Sequence, residues 1–427
     1  MARPAIEGGP KAKQHPYGTG ERFGAEEMKE LKEALAQQTL FYVTGTKVKG
    51  LCANFGKMIG AKHVVATSSG TAAIHVALGV VGIRPGDEVV TSPITDFGTV
   101  IGILYQNAIP TFADLDPHTY NMTPASIEKA ITRKTRAVLV VHLAGNPADM
   151  TGILKVAKRH SLAVIEDCAQ SILARYKGRP VGTIGDVGCF SLNDWKHISV
   201  GDGGLVVTNR DEWALKMAMF ADKNYRRTQG GSPLREIAML APNYRMTELQ
   251  GAVGLAQLRK VTRICRRRNA VGDGYTKGIT GIPGVHPHRV TPGGWCTYWF
   301  YMFRVDPGLL GCSRDEFTQA LVAEGLAASA GYIPTPVYQW EIFRNLTVYP
   351  GSGCPYDCRH TRKGIRYPAG LCPESERILR TAIKLPVSEF FTATDVRETV
   401  AGIRKVAAYY LGRSSCRGAP ACAPSSE

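Results

Sequence analysis

The chain has 427 residues, 44% of them hydrophobic and 21% charged, which is the composition of a globular protein with enough residues for two domains. It has no run of about 18 apolar residues, which excludes a membrane span, and its polar N-terminus lacks the apolar stretch of a signal peptide, so we expect a cytoplasmic protein. The net charge of +16 suits acidic small molecules or nucleic acid, but no zinc-finger, RNP-like or helix-turn-helix pattern supports nucleic-acid binding.

Helices and apolar strands alternate from residue 25 onward. The predicted helices of this part are Ala25–Gln38, Val48–Met58, Ala72–Val80, Thr99–Asn107, Thr123–Ile131 and Met150–His160. The predicted strands are His63–Thr67, Glu88–Thr91, Ile109–Asp114, Ala137–His142 and Ala163–Asp167. Strands that are apolar on both faces indicate a parallel α/β sheet covered by helices on both sides. Ligands bind such sheets at the carboxyl ends of the strands, so the strand ends at Ser69-Gly70-Thr71, His142 and Asp167 are candidate site positions.

A second, smaller α/β domain is predicted from about residue 265. It follows an amphipathic helix over Glu248–Thr262, which runs into the basic segment Arg259–Arg268, interpreted as a solvated helix face. Weaker patterns predict a strand over Tyr298–Val305 and helices over Phe317–Glu324 and Thr394–Tyr410. We therefore expect an N-terminal arm at 1–24, a large domain at 25–264, a small domain at 265–415 and a disordered tail at 416–427.

Three segments carry residues whose chemistry fits one cofactor site. The turn from Ser68 to Ala72 joins a strand to a helix and presents backbone N–H groups where a phosphate can bind, although an ordinary capped turn has the same sequence. Asp167 ends a buried strand and would need a cationic partner such as a protonated pyridine nitrogen, unless it is a plain turn residue. Lys196 lies between an apolar strand and the Gly-rich turn Gly201–Gly204, where burial lowers the pKa of an amine, although a single lysine is more often a surface residue.

The order and spacing of these segments resemble one family. The resemblance covers about residues 25 to 410 and rests on SSGTAA, VHLAGNPADM, VIEDCAQS, GDVGCFSLNDWKHISVGDGG and PNYRMTELQGAVGLAQL. These segments resemble the sugar aminotransferases of the DegT/DnrJ/EryC1/StrS family. The resemblance implies the PLP-dependent transferase fold type I of aspartate aminotransferase, with a large parallel-sheet domain and a smaller C-terminal α/β domain. It also implies pyridoxal 5′-phosphate (PLP) as the cofactor.

The resemblance implies a role for each matching residue. Lys196 would bind PLP as a Schiff base and then move a proton, and Asp167 would pair with the pyridine nitrogen, with Gln170 near the ring. The residues expected around the phosphate are Ser69, Gly70, Thr71 and Ala72 in the turn, Ser191 through its hydroxyl, and Asn243, which would reach the phosphate of the neighbouring subunit. An active site shared in this way implies a homodimer.

The chain departs from the family pattern after Thr95. Where the family places an aromatic residue that stacks on the cofactor ring, this chain has Asp96 followed by Phe97. Either Phe97 takes the stacking role through a shift in register, or Asp96 faces the cofactor. We hypothesise that Asp96 lies near the ring and changes how the donor or the acceptor is handled.

The segment Gly351–Cys372 is rich in cysteine and basic residues. Its potential metal ligands are Cys354, Cys358, His360 and Cys372. No matching second pair follows the Cys-x₃-Cys spacing, so no metal site is predicted. A similar stretch occurs in the family branch that acts on cyclitols, by the mouth of the active site. This resemblance makes His360, Arg362 and Tyr338 the candidates for binding substrate.

The resulting prediction is an aminotransferase of amino-sugar or antibiotic biosynthesis, which moves an amino group from L-glutamine or L-glutamate to a keto-sugar or keto-cyclitol in two half-reactions at one site. The cyclitol-like loop favours an acceptor without a nucleotide, whereas the basic surface favours a phosphorylated or nucleotide-linked one. One alternative is a relative that eliminates a hydroxyl group, in which histidine replaces the lysine; His197 is adjacent here. The other is a non-catalytic regulatory protein of the same fold. No nucleic-acid or membrane partner is expected.

Overall fold

The computed structural model describes residues 3–228, 232–234 and 237–417, with the side chains of residues 414–417 left out. Its α-helices are α1 Ala25–Ala36, α2 Lys47–Ile59, α3 Gly70–Val80, α4 Phe97–Tyr105, α5 Pro124–Ala130, α6 Met150–Arg159, α7 Asp211–Phe220, α8 Glu248–Ile279, α9 Pro307–Leu310, α10 Arg314–Ala323, α11 Glu341–Arg344, α12 Pro373–Thr381 and α13 Ala393–Arg417. Its strands are β1 His63–Thr67, β2 Glu88–Thr91, β3 Ile109–Phe112, β4 Thr135–Val141, β5 Ala163–Asp167, β6 Arg175–Tyr176, β7 Arg179–Pro180, β8 Val187–Ser191, β9 Gly204–Thr208, β10 Arg226–Arg227, β11 Pro233–Leu234, β12 Val285–His286, β13 Gly294–Trp295, β14 Phe300–Val305, β15 Ser329–Ala330 and β16 Ala382–Pro386. No described helix combines the length and the apolar character that crossing a membrane requires.

The apolar strands pair into one large sheet in the order β1-β9-β8-β5-β4-β2-β3. The strands β8, β5, β4, β2 and β3 run parallel, as predicted. The expectation of a wholly parallel sheet is wrong at one end, because β9 runs antiparallel to both β1 and β8. Residues alternate between two hydrophobic clusters along β4: Val138 and Val140 lie on one face of the sheet, and Ala137 and Leu139 on the other. Helices therefore cover both faces.

The sheet brings the carboxyl ends of β5 and β8 together. Asp167 at the end of β5 pairs in register with Cys189 in β8. The chain then leaves β8 at Ser191 and returns at Gly204, which pairs with Ser191. The intervening residues 192–203, which include Lys196, are therefore held directly above the end of β5.

A second sheet, in the order β12-β14-β16-β15, lies in the C-terminal part of the chain. Its strands were only partly predicted: β14 was expected two residues earlier, at Tyr298, and β16 was missed. Helices α10 and α13 contribute to the hydrophobic cluster on one face of this sheet, together with the end of α8. The division into a large and a small domain stays a prediction, and its boundary between residues 264 and 265 falls inside the continuous helix α8.

Helix α8 is longer than predicted. It was predicted over Glu248–Thr262 with a continuation into the basic segment, and it extends to Ile279. Within its basic segment, Val261, Ile264 and Cys265 are buried while the neighbouring arginines are largely exposed, as a solvated helix face requires. Arg268 is the exception, because it is buried and its Nη1 lies 2.7 Å from a carboxylate oxygen of Glu389.

The two chain ends lie outside the large sheet. Lys13, in the predicted N-terminal arm, is buried, and its Nζ lies 2.7 Å from Oδ1 of Asp395 in α13. Helix α13 runs to Arg417, so it extends two residues into the segment expected to be disordered. The rest of that tail, residues 418–427, lies outside the described residues.

Candidate active site

Lys196 lies in the connection between β8 and β9, with its side chain largely buried. Its Nζ is 3.7 Å from the centroid of the Trp299 ring, and its backbone oxygen accepts a hydrogen bond of 2.6 Å from Nη2 of Arg22. Burial lowers the pKa of Lys196 to about 8, although the charges of Asp167 and Asp96 act in the opposite direction. The amine is therefore neutral in about a tenth of the molecules at pH 7, far more often than an ordinary lysine.

Asp167 is buried at the end of β5. Its Oδ2 accepts a hydrogen bond of 2.7 Å from the hydroxyl of Thr99, and its Oδ1 accepts one of 3.0 Å from the amide of Ala169. The hydroxyl of Thr99 lies 2.6 Å from that of Thr95, one helical turn earlier. Burial raises the pKa of Asp167, so the carboxylate lacks the full stabilisation that a cationic partner would provide. Sequence reasoning missed Thr99, which only the four-residue spacing from Thr95 could have indicated.

The turn at Ser69 forms a small, open concavity beside Ser191. The Oγ of Ser69 caps α3 by accepting a hydrogen bond of 3.0 Å from the amide of Ala72. A Cβ placed on Gly70 would lie 2.8 Å from the Cβ of Ser191, so only glycine allows the turn to pack this closely against Ser191. The amide of Ala72, expected to bind phosphate, is thus already a donor to Ser69, and an anion there would have to compete with that hydroxyl.

These residues line one cavity of about 240 Å³. Its walls contain most of the residues predicted for the cofactor: Ser69, Gly70, Thr71, Asp96, Asp167, Gln170, Ser191 and Lys196. Asn193 and Asp202 also line it, and Asn193 Nδ2 donates a hydrogen bond of 2.9 Å to Asp202. A lysine with a lowered pKa thus shares a cavity with a buried carboxylate and with a helix N-terminus, which attracts anions.

Residues 21–404 match the model of the DegT/DnrJ/EryC1/StrS aminotransferase family. The chain belongs to this family. It is 35% identical over 347 residues to the putative L-glutamine:3-amino-2,3-dideoxy-scyllo-inosose aminotransferase of Streptoalloteichus tenebrarius, covering 79% of this chain and 82% of the relative. It is 37% identical over 284 residues to GDP-perosamine synthase of Caulobacter vibrioides, covering 66% of this chain and 74% of the relative. Among solved structures, the aminotransferase from Psychrobacter cryohalolentis is similar with a TM-score of 0.82 and 28% identity, over 92% of this chain and all of that one.

PLP is the cofactor of the DegT/DnrJ/EryC1/StrS family, and the residues of the cavity fit it. A buried Asp167 with a raised pKa lacks the cationic partner that the pyridine nitrogen would supply. The part of the cavity lined by Ser69, Gly70, Thr71 and Ser191, at the N-terminus of the eleven-residue helix α3, suits a phosphate. Lys196 provides a desolvated amine on the same cavity.

Asp96, and not Phe97, lines the cavity. Oδ1 of Asp96 caps α4 by accepting a hydrogen bond of 2.8 Å from the amide of Gly98. The Phe97 ring instead packs at centroid distances of 5.7 Å from Trp340 and 6.4 Å from Phe343, in the hydrophobic cluster behind α4. Because the first turn of α4 directs consecutive side chains to different sides, the stacking role considered for Phe97 is not supported.

Gln170 lies on the cavity wall and is hydrogen-bonded to Tyr332. Gln170 accepts a hydrogen bond of 2.8 Å from the amide of Ala144, and its Nε2 donates one of 3.2 Å to the Tyr332 hydroxyl. Burial raises the pKa of Tyr332, and the negative charges of Asp96 and Asp167 raise it further. Tyr332 was not identified from the sequence, because the segment around it has no pattern that marks a site residue.

His142, a candidate from its position at a strand end, points away from the cavity. Its Nε2 lies 3.0 Å from Oε2 of Glu166, and its Nδ1 accepts a hydrogen bond of 3.0 Å from the amide of Ala148. Glu166 also accepts backbone hydrogen bonds from Gly182, Ile184 and Gly185. Although His142, Glu166 and Cys168 lie close enough together to hold a metal ion, the protein's own groups already occupy the ligand atoms of the first two.

The loop containing His360 and Arg362 lies at the opposite edge of the sheet. Arg362 Nε is 2.8 Å from Oε1 of Glu88, the first residue of β2, whereas the cavity lies at the carboxyl ends of the strands. The carbonyl of His360 lies beside Gly86, in the turn before β2. Tyr338 is fully buried and donates a hydrogen bond of 2.7 Å to Glu376. These three residues therefore do not line the cavity of their own chain, and their binding of substrate stays a prediction.

The cysteines of this loop do not meet as a metal site. The sulfur atoms of Cys354 and Cys358 are 2.7 Å apart, but Cys372 is buried in another cluster, with its sulfur near the carbonyl of Phe112. His360 Nε2 accepts a hydrogen bond from Arg359. Within the described part of the chain, these residues do not gather around a common point.

Proposed function

We propose that the chain transfers an amino group from L-glutamine or L-glutamate to the ketone of a sugar or cyclitol. Membership of the aminotransferase family supports the reaction type, and the activities after which the relatives are named support the donor and the acceptor class. The observation that carries the proposal is the Lys196 amine with a pKa of about 8, on one cavity with the buried carboxylate of Asp167. This pairing suits acid–base catalysis close to neutral pH.

Each residue of the cavity has a role in the reaction that follows from its position. Bound PLP supplies an electron sink that makes the carbon bearing the amino group acidic. Lys196 Nζ takes the proton from that carbon and returns a proton for the reverse half-reaction, which its lowered pKa permits. Asp167 keeps a proton on the ring nitrogen, and Thr99 holds the carboxylate in place through the 2.7 Å hydrogen bond. Tyr332 and Gln170 restrict water on that side.

No observation favours the elimination alternative, which depends on a histidine base. His197 is buried, and its Nε2 lies 3.0 Å from the backbone oxygen of Thr297, away from the cavity. Lys196 occupies the cavity wall instead. The regulatory alternative would leave the desolvated amine of Lys196 without a use.

Titration of the PLP-loaded protein with amino donors tests the proposed function. L-glutamine or L-glutamate is expected to convert the near-visible absorption of the enzyme to a near-ultraviolet band, with release of the matching 2-oxo acid. D-glutamine serves as the control, because its carbon–hydrogen bond faces the other way and Lys196 cannot reach it. A protein that binds PLP but is converted by neither L-donor would contradict the proposed donor class.

We also propose a homodimer in which Asn243 serves the site of the neighbouring subunit. Asn243 is exposed and does not line the cavity of its own chain. Apolar side chains precede it at the surface, namely Ile237, Met239 and Leu240, and Leu240 is 94% exposed. Such a patch is typical of an interface.

A heterodimer tests the shared site. Subunits carrying Lys196→Ala and subunits carrying Asn243→Ala are co-expressed with different tags, and the mixed dimer is purified. If each site takes its lysine from one subunit and its Asn243 from the other, one of the two sites is intact, and we expect about half of the wild-type activity. If Asn243 acts within its own chain, both sites are damaged, and activity falls to about half that of the Asn243→Ala homodimer, because the other site lacks Lys196. Full activity of that homodimer would also contradict the proposed role.

A further inference from the structure

A second, larger cleft opens beside the cofactor cavity and shares Lys196 with it. It has a volume of about 870 Å³ and lies between the Lys196 loop and the second sheet. Its apolar wall includes Trp195, Trp299 and Phe300, and the Trp195 side chain is 79% exposed. A ligand that reaches Lys196 from this side must therefore pass through the cleft.

Most cationic groups of this cleft are already paired. Arg22 donates hydrogen bonds to the backbone oxygens of Asp194 and Lys196. Arg268 binds Glu389 through Nη1, at 2.7 Å, and the backbone oxygen of Trp299 through Nη2, at 2.9 Å. These two arginines hold the walls of the cleft together and have little capacity left for a ligand.

Lys384 differs from both arginines. It lies in β16, where Ile383 and Leu385 face the hydrophobic core, so strand alternation directs Lys384 and Pro386 into the cleft. Its Nζ is 6.0 Å from the centroid of the Phe300 ring. Within the described part of the chain, Lys384 has no hydrogen-bond acceptor and no carboxylate at ion-pair distance.

This arrangement is unfavourable unless a ligand compensates it. Lys384 is half-buried, and burial lowers its pKa. A cation that is desolvated without a partner costs free energy, which an oxyanion bound in the cleft would offset. Glu389, a carboxylate on the cleft wall, is held by Arg268 and cannot take that place.

We propose that Lys384 is an anion-binding residue of the acceptor and donor cleft, and that it binds a carboxylate or phosphate group of the molecules that react at Lys196. The proposal rests on the proposed function, because it treats this cleft as the entry to the reacting amine. The shared chemistry is an oxyanion within reach of a half-buried ammonium group. The amino donor carries it as a carboxylate, and a phosphorylated or nucleotide-linked ketone carries it as a phosphate.

Calorimetric binding of two unreactive anions to the PLP-loaded protein tests this proposal. Glutarate represents the donor carboxylates and inorganic pyrophosphate represents the acceptor phosphates, and neither has an amino or keto group. The proteins compared are wild type, Lys384→Met, which keeps the length and apolar stem of the side chain, Lys384→Arg, which keeps the charge, and the matched control Lys277→Met on the exposed side of α8.

We expect Lys384→Met to weaken the binding of at least one anion about tenfold or more, because a charge-assisted hydrogen bond is lost. Lys384→Arg should stay within about threefold of wild type, and Lys277→Met should not differ from it. Weaker glutarate binding assigns the site to the donor, and weaker pyrophosphate binding assigns it to the acceptor. Equal binding by wild type and Lys384→Met, or binding of neither anion by wild type, overturns the proposal. Since neither anion can react, this result is independent of whether amino transfer from L-glutamine occurs.

Discussion

Replacing Lys196 with alanine is expected to lower the rate of amino transfer by at least about a thousandfold, because the variant loses the group that moves the proton. The loss should already appear when the first half-reaction is measured by itself, as conversion of the bound PLP by L-glutamine. Lys196 is the one cavity residue whose amine is desolvated near Asp167, so no neighbouring lysine can replace it among the described residues.

Two controls separate this effect from damage to the fold. Lys155→Ala removes an exposed lysine from α6 and should leave the rate unchanged. His197→Gln preserves a hydrogen-bonding group toward the backbone oxygen of Thr297 and should retain most of the activity, since His197 does not line the cavity. Substantial conversion by Lys196→Ala, or its loss in His197→Gln with intact folding, would assign the proton transfer to another group.

The pH dependence of PLP loading gives a second measurement on the same residue. The neutral amine is the form that reacts with an aldehyde, and burial has lowered the pKa of Lys196 to about 8. The loading rate of cofactor-free protein should therefore rise with pH and level off above about pH 8. An ordinary exposed lysine would still be gaining reactivity up to pH 10. A rate that keeps rising to pH 10 would contradict the lowered pKa.

The strands of the site could be predicted because a strand buried on both faces is a short, nearly continuous run of apolar residues. The apolar runs His63–Thr67 and Ala163–Asp167 have the predicted bounds, and Thr123 caps α5 as expected, with its Oγ1 3.0 Å from the amide of Ser126. The direction of β9 was missed. Residues 192–203, between β8 and β9, contain no crossover helix, and parallel neighbours need one.

Side-chain direction explains why His142 was a wrong candidate. It continues the alternation of Val138 and Val140, which face the same side of the sheet as Glu166. Asp167 has the opposite parity and shares its face with Ile165. The sequence shows that His142 and Asp167 both lie at strand ends. Because side chains alternate between the two faces of a strand, the same sequence could also have shown that they face opposite sides of the sheet.

The residues proposed to bind substrate show that a local sequence motif does not reveal where a loop packs. Nothing around Arg362 indicates that its partner is Glu88, which lies 274 residues earlier in the chain. That ion pair holds the loop at the amino end of β2, whereas the cavity lies at the carboxyl ends of the strands. Lys384 was missed for the same reason, because only the packing of β16 against β14 shows that it faces the cleft.

Replacing Asp167 with asparagine is expected to lower amino transfer by about a thousandfold, because an amide cannot keep a proton on the ring nitrogen and the electron sink is weakened. The substitution changes little in shape: the amide oxygen can still accept from Ala169, and the amide NH2 group can donate to the hydroxyl of Thr99. Thr99→Val leaves the carboxylate and removes one of its hydrogen bonds, so a smaller loss of about tenfold is expected. An equal loss in both variants would indicate a structural role for Asp167.

The thermal stability of the cofactor-free protein distinguishes these possibilities through the sign of the pKa shift. Burial raises the pKa of Asp167 above its value in the unfolded chain. The folded state therefore loses stability as the pH rises from the unfolded pKa to the folded pKa, and the cost of burying the charged carboxylate remains at neutral pH. Asp167→Asn removes the buried charge and should therefore raise the melting temperature of the cofactor-free protein at pH 7, while it reduces the further increase that PLP produces. A structural Asp167 would give the opposite result, with a lower melting temperature in the absence of cofactor. A buried carboxylate that destabilises the empty protein and is stabilised by the bound ring is the arrangement that couples cofactor binding to catalysis in this site.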